Sequence, residues 1–332
     1  MTTQQLTYVI AVAECQSISK AAEKLYVTQP SLSQYIHSIE KQLGMKLFDR
    51  SLTPIRLTDA GRLYVEWARK ILAMEESMNN AMSDLMGLET GSVRIGASPF
   101  RVRCLLARSI AAFHAKFPNI HLTIQEADMK QLRDRLTGGE IDFAIGTGVF
   151  EEKLFHVESL ADERLYLAVS PSHPMTAVLP EPLSADDIIK STSRYLRQQP
   201  LDLTVVQNEP FVAANAGEYD LETLKSVCRK CGFEPNIAYS VQTIETVFSF
   251  VCSNMGMALL PDSLIYYGNF RNHPYYYSLP DHLARSQISL ISRKNAFLPK
   301  ASTEYALLLK QLVDVGTWRM GSNTPNGGMM LA

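Results

Sequence analysis

Between Thr28 and Ser38 the chain carries Thr28, Gln29, Pro30, Ser31, Ser33, Gln34, Tyr35, His37 and Ser38, mostly neutral hydrogen-bond donors and acceptors. Arg50 and Arg56 follow, flanking the turn Ser51-Leu52-Thr53-Pro54. Amides and hydroxyls of this kind meet base edges and phosphates in a major groove, and guanidinium groups at a turn suit phosphate or a minor groove. A polar outer face on an amphipathic helix is the plainer reading, and on this stretch alone the two are evenly matched. A second group joins Ser98, Phe100 and Arg101 with Thr147, Asn215, Gln242 and Thr243. Capping hydroxyls beside a guanidinium, at helix N-termini whose N–H groups are unpaired, would hold a small carboxylate or another anion. The alternative is that Ser98 and Thr243 only cap helices and that Arg101 is a solvated surface residue.

Catalytic chemistry has no counterpart in the sequence. The seven histidines are scattered, Ser172-His173-Pro174 reads as a loop, and neither GxSxG nor HExxH occurs. Cysteines 15, 104, 228, 231 and 252 are odd in number, and Cys228 and Cys231 lack the two further ligands a zinc site needs. They read as packing thiols, with a redox pair as the less favoured reading. No metal and no cofactor is expected.

The elements that must position the first group are local. Ser17 or Ser19 can cap a short helix whose Ala21 and Ala22 permit close helix approach. Tyr26-Val27-Thr28 forms the turn, Thr28 is a suitable N-cap, and Pro30 falls in the first turn of a second helix from about Gln29 to Leu43. Leu32, Ile36, Ile39 and Leu43 make its buried stripe. Leu6, Val9, Ile10 and Val12 mark a bracing helix in front, and Lys46–Thr58 a hairpin behind, pinned by Leu47, Phe48, Ile55 and Leu57. Thr58–Leu88 lacks proline, which predicts a helix about 45 Å long. Its positions Ala60, Tyr64, Trp67, Ile71, Met74, Met78, Ala81, Leu85 and Leu88 alternate by four and three, the 3.5-residue period of a coiled-coil seam. Tyr64, Trp67, Ile71, Met74, Met78, Ala81 and Leu85 are therefore the expected dimerisation residues, and 87–91 a hinge.

Beyond the hinge, strand-like runs at 93–97, 122–124 and 141–145 alternate with helical runs at 105–117 and 132–136, which implies a parallel sheet with right-handed crossovers. Ligands of such sheets lie beyond the carboxyl ends of the strands, where Ser98 and Thr147 stand. A second unit runs from 163 to 266, and strand-like 287–292 with a helix over 302–315, placing Tyr305, Leu308, Leu312 and Val315 inward, returns to the first.

AAEKL, TQPSLSQYI, IEKQLG, KLFDR and IRLTDAG, in this order and spacing, resemble the winged helix-turn-helix of LysR-type transcriptional regulators, and GSVRIG, GGEIDFAIG and SNMGMALLP resemble landmarks of that family's effector domain. The resemblance implies an α/β chain with an N-terminal winged helix-turn-helix (1–58), a long coiled-coil linker helix and hinge (59–90), and a C-terminal two-lobed α/β effector domain like a periplasmic binding protein (91–315). Lobe I would hold 91–162 and 267–315, lobe II 163–266, and 316–332, rich in Gly, Asn, Met and Ser, would be a disordered tail. It further implies a regulator switched by a small effector between the lobes, with promoter DNA, a homodimer or homotetramer and, for an activator, RNA polymerase as partners. A cytoplasmic small-molecule-binding protein, or an enzyme with an accessory DNA-binding head, is the alternative. Residues 180–208 are longer than the family usually has and could cover the cleft.

Length and charge agree. The 332 residues suffice for two or three domains, and the net charge of −2 restricts DNA affinity to a local surface. Even residues 1–60 carry only six Lys/Arg (20, 24, 41, 46, 50, 56) against five acids (14, 23, 40, 49, 59), so pairing of chains would have to multiply phosphate contacts. No run approaches a membrane span and no charged-then-apolar leader opens the chain, which predicts a cytoplasmic protein without membrane contact.

Overall fold

Three helices build the head: α1 (Thr3–Cys15), α2 (Ile18–Lys24) and α3 (Gln29–Leu43). The structure, a computed structural model, describes residues 2–51, 54–85, 91–148, 150–215, 217–268, 270–294 and 296–314, with no side-chain description for 83–85 and 314. The hinge positions 87–90, the turn residues Leu52 and Thr53, the seam position Leu88 and the side chain of Leu85, Val315 and the tail 316–332 lie outside it. Ser17 caps α2 through the Lys20 N–H, and Ala21 and Ala22 are buried where α1 and α3 close on them. Thr28 occupies the N-cap of α3 without forming a side-chain cap bond, so Pro30 and the packing of Leu32 and Ile36 hold that end. Leu43 is exposed rather than buried. The buried stripe ends instead on Ile39 and Glu40, because a residue four beyond Ile36 faces the wing.

The wing is two short antiparallel strands, β1 (Phe48–Asp49) and β2 (Arg56–Leu57), paired Phe48 to Leu57 and Asp49 to Arg56. The helix α4 (Asp59–Leu85) starts against it: a Cβ on Gly61 would overlap the Leu47 carbonyl oxygen, so only glycine admits this approach. Val65, Ala68 and Ala73 of α4 are buried, whereas Leu63, Trp67, Ile71, Met74, Met78 and Met82 are exposed.

The rest of the described chain is built on one long strand. In the first lobe β3 (Gly91–Ala97) is flanked by β4 (Ile120–Glu126) and β5 (Phe143–Gly146), both parallel to it as expected. β6 (Phe155–Val169) then runs through both lobes. Its first half pairs with β11 (Arg285–Arg293), which also pairs with β5; its second half pairs with β9 (Ala258–Pro261) and β10 (Tyr275–Ser278). β7 (Pro210–Ala214) and β8 (Asn236–Val241) are parallel, and β7 meets Met257, the residue before β9, where the Val212 N–H donates to the Met257 carbonyl and the Met257 N–H to the Pro210 carbonyl. The crossings are thus β6 and β11. The return expected at 267 comes later, because β10 pairs with Tyr166–Val169 and belongs to the second lobe.

Two further expectations are corrected. The last helix, Lys300–Asp314, buries Ala301, Tyr305, Ala306, Leu309 and Val313, while Leu308 and Leu312 are only half-buried. The long segment 180–208 lies along β10, not over a cleft. Leu183 exchanges backbone bonds with Tyr276, Leu201 N–H donates to the Ser278 carbonyl, and Leu201, Leu203 and Val206 enter the second-lobe core. Among the described residues no helix is long and apolar enough to cross a membrane.

Candidate functional site

The first candidate surface is the outward face of α3. Thr28, Gln29, Pro30, Ser31, Gln34, His37 and Ser38 are exposed, and Ser33 is half-buried. Tyr35 is the exception to a free face: its ring meets Tyr8 edge-on at 5.2 Å, and its hydroxyl donates to Gln4. The residue that fixes the helix to the wing is Glu40, which sequence reasoning overlooked. Its carboxylate accepts the Leu47 N–H (2.9 Å) and Phe48 N–H (3.2 Å) and meets Arg50 at 3.3 Å and Lys46 at 3.6 Å. An acid four residues after Ile36 on the apolar stripe was the signal for it. Arg50 is therefore partly engaged inside the head, while Arg56 is exposed. Tyr26, in the turn, has a left-handed backbone (φ 56°) and is 97% exposed.

The linker helix presents the expected apolar face with a shift. Tyr64 is half-buried against the head core, whereas Trp67 (55%), Met74 (73%) and Met78 (60%) are exposed with Ile71; Ala81 is intermediate. The opposite face joins the effector domain. Glu76 accepts from Arg94 (2.8 Å) and from the Ser92 hydroxyl (3.0 Å), and Asn80 donates to Ser92. Arg94, buried, also donates to Asp142, which accepts the Ser302 hydroxyl as well. Nearer the head on α4, Arg69 pairs with Glu140 at 3.2 Å and with Glu14 of α1 at 3.5 Å.

Beyond the carboxyl end of β3 lies a cavity of about 220 Å³, lined chiefly by Ser98, Pro99, Phe100, Asp128, Gly217, Glu218, Tyr219, Gln242, Thr243 and Glu245. Four of the seven predicted residues, Ser98, Phe100, Gln242 and Thr243, line it. Thr147 reaches it only through Glu218, and Asn215 is exposed and bonded to Ser240. Arg101 is neither surface residue nor open anion site. Fully buried, it donates to Glu163 (2.8 Å from Nη1, with Nη2 on the other oxygen) and to Glu218 (2.9 Å from Nε). The Ser98 hydroxyl (2.9 Å) and the Thr147 hydroxyl (3.2 Å) also donate to Glu218, and Tyr219 and Ser263 donate to Glu163. Although burial opposes charge on Glu163, Arg101 and these donors hold its carboxyl below the usual range. Glu163 and Ser263 left no local trace in the sequence, for their partner lies far away in the chain.

Sulfur chemistry finds no support in the cysteines: burial pushes the Cys104 and Cys228 thiols up to about 12, and raises those of Cys231 and Cys252. Among the described residues no cluster of His, Cys, Asp and Glu could hold a metal ion.

Residues 3–62 match the family model of the bacterial regulatory helix-turn-helix protein, lysR family, and residues 86–313 that of the LysR substrate binding domain. The chain belongs to the LysR family of transcriptional regulators. An uncharacterised HTH-type transcriptional regulator of Bacillus subtilis, YcgK, is 30% identical over 77% of this chain and 79% of its own. Among solved structures, full-length CbnR complexed with target DNA shares the fold with a TM-score of 0.63 at 20% identity, over 94% of this chain and 99% of that one. A full-length OxyR variant from Pseudomonas aeruginosa does so at 0.64 and 21% identity, over 98% and 99%. This LysR-type chain is thus a DNA-binding transcriptional regulator with a substrate-binding domain, and not an enzyme.

Proposed function

We propose that this regulator reads DNA through α3, pairs through α4, and is switched by a small molecule in the cavity beside Ser98. The observation that carries the reading is the continuity of three parts. A neutral polar face stands on a helix locked by Glu40; a long helix exposes an apolar stripe; and β3 runs from Arg94, bonded to that helix, to Ser98 at the cavity. Gln34 and Ser33 contact bases, Gln29, Ser31, Tyr35, His37 and Ser38 contact chiefly backbone with Arg56, and Arg50 divides its guanidinium between Glu40 and phosphate. Trp67, Ile71, Met74 and Met78 form the pairing seam of a dimer, two of which would make a tetramer. The site of action is the cytoplasm. A ligand that changes the angle between the lobes moves Ser98 relative to β6, and the Arg94 to Glu76 contact carries that change to α4 and to the paired heads. An anionic effector, expected from Arg101 and two helix N-termini, finds these groups occupied by the chain's own carboxylates.

Gel retardation on the DNA flanking its own coding sequence, across a salt series, tests the reading. A specific complex that weakens steeply with salt is expected, and cavity-filling by Ile244→Trp is expected to alter its response to ligand but not its formation. Equal retention of cognate and random DNA would overturn the assignment of α3.

A further inference from the structure

The cavity wall and the group behind it point to a ligand class. We infer that the cavity takes a neutral or cationic hydrogen-bond-donating molecule with an apolar body and rejects carboxylates, because Glu218 already occupies the anion cradle. The inference rests on reading the cavity as the effector site. Ser98 and Thr147, at the ends of two adjacent parallel strands, and Arg101 between them, form the kind of donor set that would grip a ligand carboxylate, and all three donate to Glu218. Glu218 comes from the loop between β7 and the helix Leu221–Lys230, so the second lobe supplies an acid to the first. Being tethered, it competes at an effective concentration that a free metabolite rarely reaches.

The remaining attractions for an anion are also met internally. Ser98 caps its helix through the Arg101 N–H and holds Glu218 beside that terminus. Thr243 caps the helix Ile244–Cys252, whose first turn carries Glu245. The wall thus carries the carboxylates of Asp128 and Glu245, with the buried Glu218 just behind it, and no Lys or Arg among its described lining residues; Arg103 stands outside, paired with Glu245 at 2.6 Å. Arg101 is shared between Glu163 and Glu218, which leaves that buried group one negative charge in excess when both acids are ionised. Phe100, Tyr219 and Ile244 supply the apolar surface.

Three probes sharing a benzyl group separate the classes: benzylammonium, benzyl alcohol and phenylacetate, titrated calorimetrically into the full chain. Benzylammonium and benzyl alcohol should each bind at least about tenfold more tightly than phenylacetate, a difference of one unfavourable charge contact or more. Glu218→Gln should narrow or reverse that order. Asp128→Asn, which keeps a good N-cap and therefore the fold, should weaken benzylammonium severalfold and leave benzyl alcohol unchanged. Phenylacetate binding most tightly to the unaltered chain, or an order unmoved by both substitutions, overturns the inference. Ile244→Trp separates this failure from that of the underlying reading: probe binding that survives the filled cavity, or no binding by any of the three, places the effector site elsewhere.

Discussion

Gln34 stands on the solvent side of a helix whose other side is buried, and that is the position from which an amide reads a base edge. Gln34→Ala should cost about 1–3 kcal/mol on the cognate site and much less on random DNA, measured by competition binding. Glu40 works differently. It touches no outward surface, yet it accepts two wing N–H groups that would otherwise be buried without partners. Glu40→Ala should lower the stability of the head by about 2 kcal/mol or more and weaken cognate and random DNA alike. Equal affinity with a lower melting temperature would show that the wing does not depend on it for binding. At the cysteines, a thiol pushed up to about 12 stays protonated at neutral pH, so alkylation of Cys228 should await unfolding. Because its folded pKa is raised, ionisation favours the unfolded chain once pH exceeds the ordinary thiol range, and stability should fall above roughly pH 8.5. A Cys228→Ala chain showing the same alkaline decline would assign it to other groups.

The linker helix carries the element-scale predictions. Its two faces do separate work: Val65, Ala68 and Ala73 pack inward, and the methionine stripe faces out. An exposed row of large apolar side chains on one helix is costly to leave in water, and pairing removes it. Met74→Glu with Met78→Glu should therefore yield monomers in sedimentation and abolish high-affinity DNA binding; an unchanged dimer would place the interface elsewhere. Glu76→Gln tests the other face. It removes one charge from the contact with Arg94, which keeps Asp142 as a partner, so the fold should persist while the ligand response of DNA binding is reduced. Full coupling in that variant would exclude this contact as the route.

At the scale of the whole molecule, a chain of net charge −2 must bind a polyanion with few cations. Among the described residues of each head Lys24 is paired with Glu14, Arg62 with Asp59, and Arg50 and Lys46 lean on Glu40, leaving Lys20, Lys41 and Arg56. Two heads, with the share of Arg50 on each that Glu40 leaves free, would then release counterions from about six to eight phosphates, a slope of log K against log salt between roughly −5 and −7. A much steeper slope would mean that DNA recruits the internally paired residues as well.

The repeat of Leu32, Ile36 and Ile39, the small pair Ala21 and Ala22, and the four-three pattern from Trp67 to Met78 were legible because periodicity along a helix is a property of neighbours in the chain. So was the βαβ order that put Ser98 and Thr147 at strand ends. The same local reasoning assigned Tyr64 to the seam, whereas its ring is half-buried against the head, a contact that periodicity along the helix did not show. The charge of the cavity was decided only in three dimensions. Arg101 meets Glu163 across 62 residues and Glu218 across 117, and no spacing rule links positions so far apart. A buried guanidinium needs carboxylate partners wherever the fold can bring them, since an unpaired charge in the interior is too costly to persist. The sequence displayed Arg101 as an invitation to an anion; the folded chain had already supplied two.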